Sequence, residues 1–228
     1  MTYVISASPQ ASVAVAGTAD RFPVHRIYCV GRNYAAHSRE MGHDPDREPP
    51  FFFQKPADTI VAEGGEFPYP SVSSNVHYEM ELVVALAKGG DNIPAEQALD
   101  YIYGYGVGLD MTRRDLQNAS KDMGRPWESG KAFEASAPCS RIYPVSQVGH
   151  PSTGSIWLTV NGETKQQADL ADMIWDVLHI IAYLSELFTL QPGDLIYTGT
   201  PAGVGPIQRG DVMHGGVDKV GEIEIKVV

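Results

Sequence analysis

The chain has 228 residues, 43% hydrophobic and 20% charged, with a net charge of −11. Such a chain can bury a core, which excludes disorder, and its acidity without any basic stripe argues against a nucleic-acid partner. Cys29 and Cys139 form no C-x-x-C pair, no stretch approaches the length of a membrane span, and the first 17 residues do not read as a signal peptide, so the expectation is one cytoplasmic domain with free thiols and no membrane partner.

Taken in order, residues 1–24 are small and apolar with Val13 and Val15 alternating, and read as an edge strand. Residues 25–31 read as a short buried strand ending at Gly31. Residues 34–41 read as a short helix, capped by Asn33 and closed by Gly42. His37 and Glu40 share one face of it. A carboxylate that orients an imidazole base has this spacing, and so does an exposed surface pair. Residues 42–50 are polar and rich in Pro and Gly, so the helix before them has the layout of a lid. Residues 51–56 form a strand whose Lys55 either reaches a site or makes a structural ion pair.

Residues 76–86 are the most informative stretch. Read as a strand, they place Tyr78, Met80, Leu82, Val84 and Leu86 on one face and Glu79, Glu81, Val83 and Ala85 on the other. Two carboxylates then point the same way, roughly 6–7 Å apart, on a strand that continues into the interior. Like charges beside a core need compensation, and a hard divalent cation suits oxygen ligands. A solvated edge has the same pattern. Glu222 and Glu224 repeat it among charged neighbours and are read as solvated.

Pro94 opens a short helix to about Asp100. In residues 101–110, Tyr103, Tyr105, Val107 and Leu109 alternate with Gly104, Gly106, Gly108 and Asp110. A glycine face admits close approach by another backbone. Asp110 is placed either as a third carboxylate of an oxygen site or as the cap of the next helix. That helix, 111–123, carries Arg114 and Gln117 on one face, suited to an oxygen-rich substrate or to solvent. Lys131, in a loop entering a strand, is expected to be partly buried, and a buried lysine commonly stabilises an anion. Asn161-Gly162 marks a hairpin in 156–167, and 172–188 is the one clear long helix. Residues 199–206, Gly-Thr-Pro-Ala-Gly-Val-Gly-Pro, lack the Lys of a P-loop and the helix of a dinucleotide fingerprint. They leave a backbone nest for a carboxylate, with the Thr200 hydroxyl beside it, or a plain tight connection.

Five runs occur in order: Tyr28-Cys29-Val30-Gly31-Arg32-Asn33-Tyr34, His77-Tyr78-Glu79-Met80-Glu81-Leu82, Gly108-Leu109-Asp110-Met111-Thr112, Gly130-Lys131-Ala132-Phe133 and Tyr197-Thr198-Gly199-Thr200-Pro201-Ala202-Gly203-Val204-Gly205. Together they resemble the fumarylacetoacetate hydrolase family over residues 25–228, and most of all its bacterial branch that cleaves acylpyruvates. The resemblance implies an α+β, mostly β fold, a mixed β-sandwich and β-roll with a few helices and a short lid helix, following an N-terminal extension at 1–24. It implies a homodimer holding one Mg²⁺ or Mn²⁺ per chain, with Glu79, Glu81 and Asp110 as ligands. His37 and Glu40 match the dyad that activates water, Lys131 the lysine near the reacting carbonyl, and Arg114, Gln117 and Thr200 the substrate contacts. A further Asp ligand found in animal members has no counterpart here. The implied reaction is hydrolysis of the C–C bond of a 3-acylpyruvate, fumarylpyruvate giving fumarate and pyruvate, in aromatic catabolism. Decarboxylation of oxaloacetate or isomerisation of a dioic keto acid is the rival within the family, and a non-catalytic keto-acid or metal-binding protein the rival outside it.

Overall fold

The structure, a computed structural model, describes residues 3–35 and 49–228. The glutamate strand lies at its centre. Met80–Leu86 is buried along its whole length, and its two faces feed two different cores. Leu82, Val84 and Leu86 enter the larger core, whereas Val83 and Ala85 enter a smaller one with Ile27, Cys29, Leu195 and Tyr197. A strand covered on both sides cannot show the polar and apolar alternation of a surface strand, so both sets of residues are apolar beyond Glu81.

The largest sheet runs in the order Phe51–Lys55, Ile27–Gly31, Leu195–Tyr197, Met80–Leu86, Ile102–Leu109, Ala137–Cys139, Ile60–Ala62, with Tyr143–Pro144 also paired to Ile102–Leu109. A five-stranded sheet, Glu163–Asp169, Ser155–Val160, Val212–Val217, Gly221–Val227, Glu66–Phe67, contributes Ile156, Leu158, Met213, Ile223 and Ile225 to the larger core. This is the mostly β fold, with few helices, that the resemblance implies. The Asn-Gly hairpin is present: Asn161 and Gly162 have φ of 52° and 81°, the left-handed pair a two-residue turn requires. Val13 pairs in the two-stranded ribbon of Ser12–Ala14 and Arg21–Pro23, Val15 beyond it bridges to Ile142, and both pack into the smaller core.

Three helix boundaries differ from the expectations. The long helix starts at Val177, where Asp176 caps it by accepting from the His179 N–H at 3.0 Å. Before it, Leu170–Asp172 forms a short 3-10 turn, Met173 is extended and bridged to Tyr34, and the Ile174 N–H donates to the Asn33 carbonyl. The 111–123 helix begins at Arg114, because Thr112–Arg113 pairs as a short strand with Val76–Tyr78. Lys131 closes a short helix, Glu128–Lys131, rather than lying in a loop. No helix among the described residues is long and apolar enough to cross a membrane.

Candidate active site

Strand pairing assembles the site. Glu81 pairs with Gly108 in the antiparallel ladder, and the Asp110 N–H donates to the Glu79 carbonyl at 2.8 Å. Paired residues point to the same face of a sheet. The glutamate face of one strand and the glycine face of the next are therefore one face. Gly108 keeps it open, since a Cβ there would come within 2.6 Å of the Tyr197 ring and 2.9 Å of the Pro138 carbonyl. The outcome is a cluster in which Glu79, Glu81 and Asp110 each offer an oxygen within 4.8 Å of the others. Their exposures are 6%, 1% and 1%.

Cations counter two of the three acids. Lys131 Nζ, itself 2% exposed, donates to Glu79 Oε2 at 2.8 Å, Asp110 Oδ2 at 2.7 Å and Thr112 Oγ1 at 2.7 Å. Arg114 pairs with Glu79 Oε1 and donates to Gln117 Oε1 at 2.6 Å. Lys55 Nζ lies 2.8 Å from Asp110 Oδ1 and donates to the Met111 carbonyl at 3.0 Å. Burial works against the Lys131 charge, but Asp110 and Glu79 outweigh it and its pKa is raised. At Lys55 burial prevails and the pKa is lowered. Asp110 does not cap a helix; its side chain is spent on these lysines, and the helix starts four residues later without a side-chain cap. Lys55 makes the ion pair that was one of its two readings.

Glu81 is the exception. Among the described residues no Lys, Arg or His pairs with it, and its carboxylate accepts one backbone bond, from Gly199 N–H at 2.7 Å. Burial, then the charges of Asp110 and Glu79, push its pKa well above the usual carboxylate range. The nest predicted at Gly199 thus receives a carboxylate of the protein itself. Gly199 holds φ of 97°, and a Cβ there would lie 2.6 Å from Asn33 Cβ. The missing positive charge is therefore located: it faces Glu81, among three buried oxygen donors. Asp110 Oδ1, though near Lys55, receives no hydrogen bond of acceptable angle. An all-oxygen set with an unmatched charge fits a hard divalent ion, and it lacks the nitrogen or sulfur donors that softer metals favour.

The pocket above this cluster is lined by Glu79, Glu81, Lys131, Arg114, Gln117 and Thr200, together with Arg32, Phe51, Phe53, Lys121 and Trp127. All of the candidate residues that the structure describes thus meet at one place; His37 and Glu40 lie outside the described residues. Arg114 and Gln117 share a helix face as expected, yet both are buried and bonded to each other. Residues the sequence reading missed hold the frame. Gln166 accepts from Met80 N–H at 3.0 Å and donates to Thr200 Oγ1 at 2.8 Å, which orients that hydroxyl. It is the buried position of an otherwise largely exposed strand, a weak signal in sequence. Asn33, read as a cap, donates to the carbonyls of Trp175 and Thr198, both at 2.8 Å, and accepts from Trp175 N–H.

Comparison with known proteins agrees with this site. Residues 26–228 match the model of the fumarylacetoacetate (FAA) hydrolase C-terminal family. A fumarylpyruvate hydrolase from Ralstonia sp is 49% identical over 189 residues, 82% of this chain and 98% of that one. The mouse mitochondrial oxaloacetate tautomerase FAHD1 is 43% identical over 201 residues, 88% of this chain and 90% of that one. A crystal structure of fumarylpyruvate hydrolase from Pseudomonas aeruginosa in complex with Mn²⁺ and pyruvate superposes with a TM-score of 0.97 at 54% identity, covering 100% of this chain and 99% of that one. The chain belongs to the fumarylacetoacetate hydrolase family.

Proposed function

We propose that this protein is a divalent-metal-dependent hydrolase that cleaves the C–C bond of a 3-acylpyruvate, converting fumarylpyruvate and water to fumarate and pyruvate. The observation that carries this reading is the buried acid Glu81, which no cation among the described residues pairs with, clustered with Glu79 and Asp110 at a polar pocket. Glu79, Glu81 and Asp110 hold one Mg²⁺ or Mn²⁺ per chain. Bound there, the ion supplies positive charge that draws electrons toward the pyruvyl end of the substrate.

The chain's own groups do the rest. Arg114 and Gln117 orient the pyruvyl carboxylate, and Thr200, held by Gln166, fixes its edge. His37, oriented by Glu40, takes a proton from water as its oxygen adds to the distal carbonyl. Lys131 steadies the negative charge that develops on that carbonyl oxygen. The bond between C3 and the attacked carbon then breaks; the acyl part leaves as fumarate, and C3 gains a proton to give pyruvate. Residues 25–228 act as the catalytic domain of a cytoplasmic homodimer in aromatic catabolism.

The 43% identity to an oxaloacetate tautomerase favours a second reading, in which the same acids serve keto–enol or decarboxylation chemistry on oxaloacetate. Side-by-side assays of fumarylpyruvate, acetylpyruvate and oxaloacetate, followed by loss of enol absorbance, decide between them. The first reading expects fumarylpyruvate to have the highest kcat/KM and a chelator to abolish it. Turnover of oxaloacetate alone would reverse the order, and ligand binding without any turnover would leave a binding protein.

A further inference from the structure

Gln166 is 1% exposed, on a strand that is otherwise largely open to solvent. A register shift between Leu158 and Thr159 sets it opposite the core residue Leu158, so this strand turns an amide inward. The loop of residues 199–205 passes close by: a Cβ on Gly203 would come within 2.2 Å of the Lys165 carbonyl. The Gln166 amide meets three groups there. Its Oε1 accepts from Met80 N–H at 3.0 Å, and its Nε2 donates to the Pro201 carbonyl and to Thr200 Oγ1, both at 2.8 Å.

Two of these partners admit only one role. A backbone N–H donates and a carbonyl accepts, so the amide fits one way round. Its NH2 group is then the donor to Thr200, and the Thr200 oxygen is the acceptor. The hydroxyl proton is left over, and no described residue accepts it. Thr200 borders the pocket, so that proton can be given to whatever the pocket holds. The same logic applies at Gln117. The Arg114 guanidinium only donates, so the Gln117 atom 2.6 Å from it is the oxygen. The Gln117 NH2 group then has no acceptor among the described residues, and it too borders the pocket. Beside the three acids the pocket wall therefore presents an O–H and an N–H, while the Gln117 oxygen is turned to Arg114 and the Thr200 oxygen already accepts from Gln166.

We propose that Gln166 is a positioning residue that sets the polarity of Thr200: it commits the hydroxyl to donate into the pocket, and so makes this end select an ionised carboxylate. The inference rests on the reading of the pocket as a keto-acid site and adds the atoms that choose the acid over its neutral derivatives. A carboxylate presents acceptors alone, and each donor of the wall finds one. An amide in the same place presents an N–H to a wall of donors, and an ester presents an oxygen without charge. A site built to bond one group rejects the analogue that cannot answer it, because its buried donors are then left unpaired.

The test is a double-mutant cycle, read by calorimetric titration of pyruvate into the Mn²⁺-loaded protein. Gln166→Glu keeps the bond from Met80 N–H but puts an acceptor where the NH2 group stood, so Thr200 turns its proton away from the pocket. Pyruvate binding should weaken about 10- to 100-fold. In the Thr200→Val background no hydroxyl remains to be turned, and the same substitution should cost at least about fivefold less, the remainder being repulsion between two carboxylates. Equal losses in the two backgrounds would make Gln166 a clamp and overturn the proposal. In turnover of fumarylpyruvate the loss in Gln166→Glu should fall on KM rather than kcat, since the bond is made to substrate and transition state alike. Should Gln166→Glu not fold, Gln166→Met replaces it: methionine takes no proton from Thr200, so pyruvate binding should weaken less than in Thr200→Val, and an equal or greater loss would overturn the proposal. A wild type that bound pyruvate with this coupling but cleaved no acylpyruvate would refute the functional reading and leave the subsite standing. One that bound no pyruvate would overturn the subsite.

Discussion

Glu79 and Glu81 flank Met80, the first just before and the second within the strand Met80–Leu86; Glu222 and Glu224 flank Ile223 within Gly221–Val227. The local pattern is the same, yet the first pair is buried and the second exposed. The difference lies in what each pair faces across the sheet. Glu81 lies opposite Gly108, and the next inward position beyond it is Asp110, so a third acid and three basic side chains gather on that face. Glu222 and Glu224 lie opposite Gly216 and His214 on a sheet whose outer face is solvated, and Glu222 pairs there with the half-buried His214 at 2.9 Å. A charge pair becomes a site through its neighbours in the fold rather than through its own spacing. Buried acids must be matched, and surface acids are matched by water.

Substitutions can sharpen that contrast. The largest effect is expected at Glu81→Gln, which removes the acid that no side-chain cation among the described residues matches: activity should fall at least about 1000-fold, as for loss of a group acting at the reacting centre, with the circular dichroism spectrum unchanged. Next, Lys131→Met leaves Glu79 and Asp110 short of a buried cation and should cost about 3–5 kcal/mol in urea unfolding of the metal-free protein. Added Mn²⁺ should recover part of that loss, since a ligand bound only by the folded state stabilises it.

A smaller effect concerns His77. Its Nε2 lies 2.9 Å from Asn75 Oδ1 and its Nδ1 faces Arg114, so the neutral ring donates to one and accepts from the other. Burial and then Arg114 lower its pKa from 6.5 to about 4. The unfolded chain thus binds this proton at a higher pH than the folded one. Stability should decline as pH falls from 6.5 toward about 4 and lose no more from this group below that, and His77→Gln should flatten that part of the melting-temperature profile. The smallest effect is expected at Glu222→Gln and Glu224→Gln, each within about 0.5 kcal/mol of the wild type and without effect on activity.

Strand parity alone placed Glu79 and Glu81 on one face and Asp110 on a glycine face, and both assignments match the structure. Register was not legible. That Glu81 pairs with Gly108, and so that the two faces are one, depends on packing between strands distant in sequence. Lys55 and Gln166 reach the site from still further away, with no local signal beyond a polar residue in a strand. The helix before Val177 was overestimated for the same reason: Ile174 has helical spacing with Val177 and Leu178, but Met173 is bridged to Tyr34 and the Ile174 N–H is taken by the Asn33 carbonyl. The nest at Gly199 was legible as geometry, whereas its occupant, Glu81, was not.

The central claim is that Glu79, Glu81 and Asp110 share one divalent ion. Titration of the chelator-treated protein with Mn²⁺, followed by electron paramagnetic resonance, tests it directly. One tight site per chain, lost in Glu81→Gln and kept in Glu224→Gln, is the predicted result. Failure of the wild type to bind, or equal binding by Glu81→Gln, would contradict it.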